Sequence, residues 1–187
     1  MREIVFATGN PDKLREVNNI GQEYGVTFVM PNEGFNPVEN GETFEENSLI
    51  KAKEAYRVSK RMVLADDSGL CVDALDGAPG IFSARYAGDQ NEKINKLISE
   101  MKGVEKRSAR FVCCMTLLDD NGKIMMQSKG VCEGSIALNR VGLNGFGFDP
   151  IFIVKGKLQT MAELSDNDKN KISHRSIALR EILNKLG

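Results

Sequence analysis

The chain has 187 residues, of which 41% are hydrophobic and 27% are charged, and its formal net charge is -1. This composition is typical of a soluble globular protein, and the near-neutral charge gives no reason to expect a nucleic-acid polymer as partner. No apolar run approaches the roughly 20 residues that cross a bilayer, and no cationic and apolar leader opens the sequence. We therefore expect one cytoplasmic domain over residues 1–187.

Apolar runs and helical spacing together predict an α/β fold. Strands are expected over 4–7, 26–30, 62–65, 111–118, 124–132 and 151–154. Helical spacing predicts four helices, one after the first strand and the others over 45–59, 94–101 and 179–186. Asn121-Gly122 is a pair favoured in tight hairpins, so residues 111–132 should form an antiparallel ribbon in a mixed sheet.

The four cysteines show no CxxC spacing, and two of them lie side by side in the apolar run 111–118. Free cysteine is among the most buried residue types. We expect Cys71, Cys113, Cys114 and Cys132 to be reduced, buried strand residues.

The segment Thr8-Gly9-Asn10-Pro11-Asp12-Lys13 joins the first strand to the first helix. Such a turn exposes the unpaired N–H groups and the positive dipole end of the helix, and both favour an anion. Pro11 fits the first helical turn, where Lys13 adds a positive charge. An ordinary strand-to-helix turn capped by Asn10 or Asp12 explains the same residues, so the segment alone leaves both interpretations open.

Two adjacent carboxylates, Asp66 and Asp67, follow the strand expected over 62–65. Ligands of open α/β sheets bind outside the carboxyl ends of strands, so these groups stand where a site is expected. Their mutual repulsion is relieved most simply by a cation, and Mg²⁺ takes one or two carboxylates together with water and phosphates. A turn is the alternative, because Asp, Ser68 and Gly69 are all turn formers.

A further acidic segment leads into the second helix. Thr43 and Glu46 predict a capping box, whereas Glu39 lies outside it and could supply another oxygen to a metal. Lys51 and Lys53 are two residues apart on the helix, so at most one of them should point toward a site.

Residues 142–150 form a glycine-rich loop that contains Phe146 and Asp149. The loop matches neither GxxxxGK[ST] nor GxGxxG. Glycines beside Phe146 would let a base stack on the ring, a contact worth ~1 to 3 kcal/mol, and Asp149 could meet the polar edge of the base. A loop whose aromatic rings face the core is the alternative.

The segment from Lys169 to Arg175 is basic and precedes the C-terminal helix. His174 is the only histidine, which excludes a multi-histidine zinc site. Cations near a helix N-terminus are disfavoured by the dipole, which suggests that a ligand supplies the missing negative charge. Ser173 could simply cap the helix.

Several strings resemble the inosine triphosphate pyrophosphatase family, which removes non-standard purine nucleotides. In chain order they are TGNPDKLRE, ENGETFEENSLIKAK, ADDSGL, PGIFSARYAG, GFGFDPIF and AEL followed by KNKISHR. The resemblance covers nearly the whole chain. It implies an elongated mixed β-sheet with flanking helices, two lobes around a central substrate cleft, and a homodimer.

The implied activity is hydrolysis of ITP, dITP and XTP to the monophosphate and pyrophosphate, with Mg²⁺ as cofactor. Asp67 would be the catalytic base and a metal ligand, with Glu39 and Asp66 as additional acidic positions. The implied substrate contacts are Thr8, Gly9, Asn10, Pro11, Asp12, Lys13, Ser68, Phe146, Gly147, Phe148, Asp149, Lys169, His174 and Arg175, and Lys51 and Arg85 are further candidates. His174 and Arg175 are the candidates for contacting the 6-keto oxygen, because a donor there would pair badly with the amino group of adenine. The family commonly has tyrosine where Phe148 stands here.

Three alternatives remain open. The related septum-associated nucleotide pyrophosphatases share the reaction but prefer other bases. A nucleotide sensor would bind purine triphosphates without cleaving them, and a metal-dependent phosphomonoesterase would release orthophosphate.

Overall fold

A computed structural model describes residues 2–187, which contain one six-stranded sheet. The strands are β1 (Arg2–Phe6), β2 (Val26–Val29), β3 (Val63–Val72), β4 (Ser108–Leu118), β5 (Ile124–Ile136) and β6 (Phe152–Val154). Their order across the sheet is β2-β1-β3-β4-β5-β6. β1 runs parallel to β2 and β3, whereas β6 runs antiparallel to β5, so the mixed sheet is confirmed.

Five α-helices accompany the sheet in the described part of the chain, one more than predicted. They are α1 (Pro11–Gly21), α2 (Phe44–Ser59), α3 (Gln90–Glu100), α4 (Asp166–Ile172) and α5 (His174–Leu186). The prediction of four helices was wrong because it omitted α4. This helix has seven residues, of which only Ile172 is apolar, so it has no hydrophobic periodicity to detect.

The strand that carries the two aspartates is longer than predicted. β3 continues through Asp66 and Asp67 to Val72, so the two aspartates lie inside the strand. The expectation that they follow the end of the strand was wrong. Gly69 supports the continuation, because a Cβ there would come within 2.2 Å of the carbonyl oxygen of Gly80. Gly69, which we took for a turn former, is thus required because the backbone of Gly80 approaches it closely.

β4 and β5 are hydrogen-bonded neighbours joined by a short turn, as the Asn-Gly pair predicts. The carboxylate of Asp119 accepts hydrogen bonds from the backbone N–H groups of Asn121 and Lys123, at 2.8 Å each. Gly122 has φ 76°, in the left-handed region that glycine adopts without strain.

The described residues group into two compact units. Unit 1 contains the residues up to Asp67 together with Cys113–Gly130 and His174–Gly187, and unit 2 contains Ser68–Val112 and Val131–Ser173. In unit 1, Ile4 and Phe6 belong to a core cluster that includes residues of α1 and α5, whereas Val5 belongs to a cluster with residues of α2. β1 is therefore covered on both faces, as is typical of parallel strands. In unit 2, apolar residues of α3 pack with those of β3, β4 and β6.

The cysteines carry free thiols, and three of the four are buried as predicted. Cys71 is half-buried, so the expectation of full burial was wrong for it. Within residues 2–187, no helix is both long and apolar enough to cross a membrane.

Gly130 allows α5 to pack directly on β5 in unit 1. A Cβ at this position would lie 2.0 Å from the carbonyl oxygen of His174 and 2.7 Å from the backbone nitrogen of Ala178. We expect Gly130→Ala to lower the free energy of unfolding by about 3 kcal/mol, because backbone atoms must move to make room. Urea unfolding measures the change. The matched control is Gly9→Ala, where nothing lies within 4 Å of the added carbon; equal costs at the two positions would contradict the packing argument.

Candidate active site

The turn after β1 has the geometry that the sequence predicts. Asn10 is the N-cap of α1 and its side chain accepts a hydrogen bond from the N–H of Asp12 at 2.9 Å, while Pro11 occupies the first helical turn. The hydroxyl of Thr8 accepts from the N–H of Asn10 at 3.1 Å. The capping interpretation is therefore confirmed. It does not conflict with anion binding, because a capped helix keeps its dipole and its remaining N–H groups.

Asp66 is the centre of a buried ion-pair network in unit 1. Lys13 Nζ lies 3.0 Å from both carboxylate oxygens of Asp66, and the Nε and Nη2 atoms of Arg175 lie 3.2 and 3.1 Å from Oδ2. Arg175 Nη1 also donates to Oε2 of Glu16 at 2.7 Å. Asp66 and Arg175 are each 1% exposed. The two cations thus hold the carboxylate of Asp66 from two sides.

These contacts shift the pKa values in the expected directions. Burial by itself would raise the pKa of Asp66, but the charges of Lys13 and Arg175 lower it overall, so the carboxylate stays ionised. The pKa of Arg175 is raised, because attraction to Glu16 and Asp66 exceeds the effect of burial. Burial lowers the pKa of Lys13 in spite of its pairing with Asp66.

Our expectation that a ligand supplies the negative charge near Arg175 was wrong. Asp66 and Glu16 of the same chain supply it, and both are far from Arg175 in sequence. His174 is the first residue of α5 and is buried, so the predicted position at a helix start is confirmed.

Asp67 has a different environment from its neighbour. Lys51 Nζ lies 2.7 Å from Oδ1 of Asp67 and 3.1 Å from Oε2 of Glu39. The other oxygen, Oδ2 of Asp67, is buried and has no hydrogen-bond partner among residues 2–187. Burial raises the pKa of Asp67, although Lys51 opposes the shift. The two adjacent aspartates therefore differ, since one carboxylate is saturated by cations and the other keeps an acceptor oxygen available.

Glu39 and Asp67 fit a divalent cation. Both present hard carboxylate oxygens within 3.1 Å of the same lysine nitrogen, and Oδ2 of Asp67 is a buried acceptor without a partner in the described part of the chain. No group of three His, Cys, Asp or Glu side chains suited to a metal occurs within residues 2–187. A cation held by two carboxylates would complete its shell with water and phosphate oxygens, as Mg²⁺ usually does.

Helix α2 supplies Lys51 and anchors the loop that carries Glu39. Lys51 is buried and Lys53 is exposed, which confirms that only one of the two faces the site. Thr43 accepts from the N–H of Glu46 as predicted, but Glu46 accepts from the N–H of Glu42 and not from that of Thr43. One half of the predicted capping box is therefore present, whereas the other half uses the N–H of Glu42, one residue before the N-cap Thr43.

Glu16 contributes to this site through its ion pair with Arg175, and Asn47 holds the loop that follows Glu39; sequence reasoning missed both. Asn47 is 1% exposed, its Oδ1 accepts from the N–H of Gly41 at 2.9 Å, and its Nδ2 has no hydrogen-bond partner among the described residues. It lies one helical turn before Lys51. A polar residue on the buried face of a helix was the available signal in both cases, since Glu16 lies four residues before the core residue Ile20 and Asn47 lies eight before the core residue Ala55.

In unit 2, Phe146, Asp149 and Lys169 form a second polar group. Oδ2 of Asp149 accepts from the backbone N–H of Phe146 at 2.9 Å and from Lys169 Nζ at 2.6 Å. Lys169 Nζ also lies 4.5 Å from the centre of the Phe146 ring, a cation–π contact. Gly145 and Gly147 have φ values of 72° and 63°, which glycine adopts without strain. The glycines thus shape a loop that is held closed by a buried ion pair.

The remaining predicted contacts of unit 2 differ in exposure. The ring of Phe148 is 4% exposed and packs edge-on against Tyr86, with 6.1 Å between ring centres. Arg85 is exposed and lies over the ring of Phe82 at 5.0 Å, and Ser68 is half-buried. Contact from Phe148 to a ligand would therefore come from its backbone.

Taken together, the fold and the network around Asp66 and Asp67 define an α/β protein with a mixed sheet and a buried group of paired lysines and carboxylates. The Ham1 family model matches residues 4–185, and the chain belongs to that family. The resemblance drawn from the sequence motifs and the expected α/β fold are thereby confirmed.

Named relatives match over almost the full length. The chain is 50% identical to a dITP/XTP pyrophosphatase of Treponema denticola over 190 residues, covering 96% of each chain. It is 46% identical to a dITP/XTP pyrophosphatase of Bacillus subtilis, covering 97% of this chain and 96% of the relative. The solved structure of a HAM1 protein from Coxiella burnetii is similar with a TM-score of 0.88 and 40% identity, covering 100% of this chain and 98% of that one.

Proposed function

We propose that this protein is a nucleoside triphosphate diphosphatase. It hydrolyses ITP, dITP and XTP to the monophosphate and pyrophosphate and so removes these nucleotides from the pool. The names of the full-length relatives support the proposal. The observation that carries it is the contrast between Asp66, which is saturated by cations, and Asp67, which keeps an acceptor oxygen beside Lys51 and Glu39.

Asp67 acts as the general base in this proposal. In the free protein Lys51 pairs with Oδ1 of Asp67, and Oδ2, which has no partner in the described part of the chain, is the oxygen that accepts a proton from the attacking water. A general base works best when its pKa approaches the operating pH, and burial shifts the pKa of Asp67 upward. Asp66 holds Lys13 and Arg175 in place and takes no proton, because its pKa is lowered.

The triphosphate binds at the start of α1. The segment Thr8 to Lys13, with Gly9, Asn10, Pro11 and Asp12, presents the helix N-terminus and one ammonium group to the phosphates. Lys13 is 18% exposed, so its flexible stem lets the ammonium reach a phosphate while Asp66 remains paired with Arg175.

We propose Mg²⁺ as the cofactor, with Glu39 and Asp67 as its protein ligands. Held there, the ion would neutralise charge on the phosphate oxygens in the transition state. Asp66, which also stood as a candidate ligand, is assigned here to the two cations that hold it. The chain's own lysines then position the phosphates, which is most of what phosphoryl transfer requires of a protein.

The purine binds with help from the glycine-rich loop. The half-buried ring of Phe146 offers a stacking surface, and Gly147 leaves room for the base beside it. Asp149 and Lys169 are paired with one another and fix the loop. His174 is the better candidate for the 6-keto contact, because the guanidinium of Arg175 donates to Asp66 and Glu16. Ser68, Phe148 and Arg85 remain proposed contacts. A homodimer is proposed from the family resemblance, and a cytoplasmic location stays a proposal.

A substrate panel tests the proposal. Purified protein is incubated with ITP, XTP, GTP, ATP and dUTP, with and without Mg²⁺, and nucleoside monophosphate is quantified by chromatography. We expect ITP and XTP to be hydrolysed at least about 100-fold faster than ATP, because a site that hydrogen-bonds the 6-keto oxygen pairs badly with the amino group of adenine. Hydrolysis should require Mg²⁺. Preference for dUTP would instead favour the septum-associated class. Absence of turnover with every nucleotide would favour a sensor.

A further inference from the structure

Lys51 occupies the position between the two carboxylates to which we assign the cation. Its ammonium nitrogen lies 2.7 Å from Oδ1 of Asp67 and 3.1 Å from Oε2 of Glu39, and the side chain is 9% exposed. A divalent ion ligated by these same two oxygens, Oδ1 of Asp67 and Oε2 of Glu39, would need the same small space, because Mg²⁺ binds oxygen at about 2.0 to 2.1 Å. One cationic group therefore has to leave when the other enters.

The surrounding charges determine when the exchange is favourable. The acid–base cluster of unit 1 combines three cationic side chains with four carboxylates, namely Lys13, Lys51, Arg175, Glu16, Glu39, Asp66 and Asp67. The charges are nearly balanced, so a free divalent ion gains little by displacing an ammonium that already satisfies the carboxylates. Moreover, a displaced Lys51 would be left in a buried setting without an anion, which is costly.

We propose that Lys51 is a displaceable counter-ion that makes binding of the cation depend on binding of the phosphate tail. In the free protein it holds Glu39 and Asp67 together. When the cation and the triphosphate arrive together, the ammonium leaves the carboxylates and pairs with a phosphate oxygen. This inference rests on the proposed function for the phosphate tail and for the assignment of the cation to Glu39 and Asp67.

Lysine suits this exchange better than arginine would. Its charge is a compact ammonium on a flexible stem, whereas a guanidinium binds carboxylates in a fixed, forked geometry. By linkage, the cation and the nucleotide each raise the affinity of the other by the same factor, and couplings of about 5- to 150-fold are typical. Removing the ammonium should therefore strengthen cation binding to the free protein and weaken the coupling.

The test measures cation binding directly and without turnover. Mn²⁺ alone is titrated into the nucleotide-free protein, and free Mn²⁺ is followed by its electron paramagnetic resonance signal. We expect Lys51→Met to bind Mn²⁺ at least about tenfold more tightly than the unmodified protein. Lys53→Met, on the exposed face of the same helix, should bind like the unmodified protein. Addition of a non-hydrolysable α,β-methylene ITP should tighten Mn²⁺ binding strongly in the unmodified protein and less in Lys51→Met.

Two further variants keep the result interpretable. Lys51→Gln is neutral but still donates a hydrogen bond, and we expect it to show the same tighter Mn²⁺ binding. It replaces Lys51→Met if circular dichroism shows that Lys51→Met does not fold. Lys51→Met combined with Asp67→Asn should not show the tighter Mn²⁺ binding, because the ion then lacks the carboxylate of Asp67. Unchanged or weaker Mn²⁺ binding in folded Lys51→Met and Lys51→Gln would overturn the proposal. Tighter binding in a protein that hydrolyses no nucleotide would support the exchange and reject the proposed function.

Discussion

Asp67→Asn should lower the rate of ITP and XTP hydrolysis by about 10²- to 10⁴-fold, the usual contribution of a general base. The substitution removes the charge that accepts the proton of the attacking water but keeps the side chain's size and an oxygen for Lys51. Initial rates of pyrophosphate release measure the effect. The unfolding free energy should fall by less than in Asp66→Asn, because Glu39 still pairs with Lys51 and because burial already disfavours the ionised carboxylate of Asp67.

Asp76→Asn is the matched control. Asp76 is exposed and has φ 52°, a left-handed conformation that asparagine tolerates as well as aspartate. We expect this variant to hydrolyse ITP at the unmodified rate. An Asp67→Asn protein that is folded and fully active would show that another group activates the water.

Asp66→Asn should have its largest effect on stability. The substitution leaves Lys13 and Arg175 facing a neutral amide where they had an ionised carboxylate that is 1% exposed. Removing one partner of a buried ion pair typically costs about 3 to 5 kcal/mol, because the remaining charge is buried without compensation. Urea unfolding at pH 7 measures the loss. We expect activity to fall as well, since Lys13 is no longer oriented.

Two comparisons make this prediction specific. Glu3→Gln breaks an exposed ion pair with Arg61 and should cost less than about 1 kcal/mol. The folded-state pKa of Asp66 is lowered, so its contribution to stability is present above the unfolded pKa of about 3.9 and is lost as the pH falls below it. The unmodified protein should therefore lose more stability than Asp66→Asn below about pH 4. Equal stability of Asp66→Asn and the unmodified protein at pH 7 would contradict the network described above.

Local sequence predicted those parts of the fold that depend on local patterns. The Asn121-Gly122 turn and the Asn10 cap follow from the few residues around them, and both are confirmed. Helix α4 has no apolar stripe to detect; it begins at the serine cap Ser165, and its buried residues are the polar Lys169 and Asn170. The two aspartates looked like the end of a strand because Ser68 and Gly69 are turn formers, yet β3 continues.

Most charged residues of the candidate site could be predicted from sequence motifs, but Glu16 could not, and neither could the pairing of the charged groups. Asp66, Asp67, Lys13 and Lys51 stand in motifs with recognisable chemistry. The partners of Arg175 lie 109 and 159 residues away in sequence, and spacing along the chain says nothing about contacts at that distance. The different roles of the two adjacent aspartates likewise follow from which cations the fold brings to each.

Phosphorus NMR of the reaction with XTP tests cleavage between the α and β phosphates most directly. Purified protein with Mg²⁺ should convert XTP to the monophosphate and pyrophosphate, with Asp67→Asn as the inactive comparison. Formation of the diphosphate and orthophosphate would contradict the account and would favour a phosphomonoesterase type of reaction.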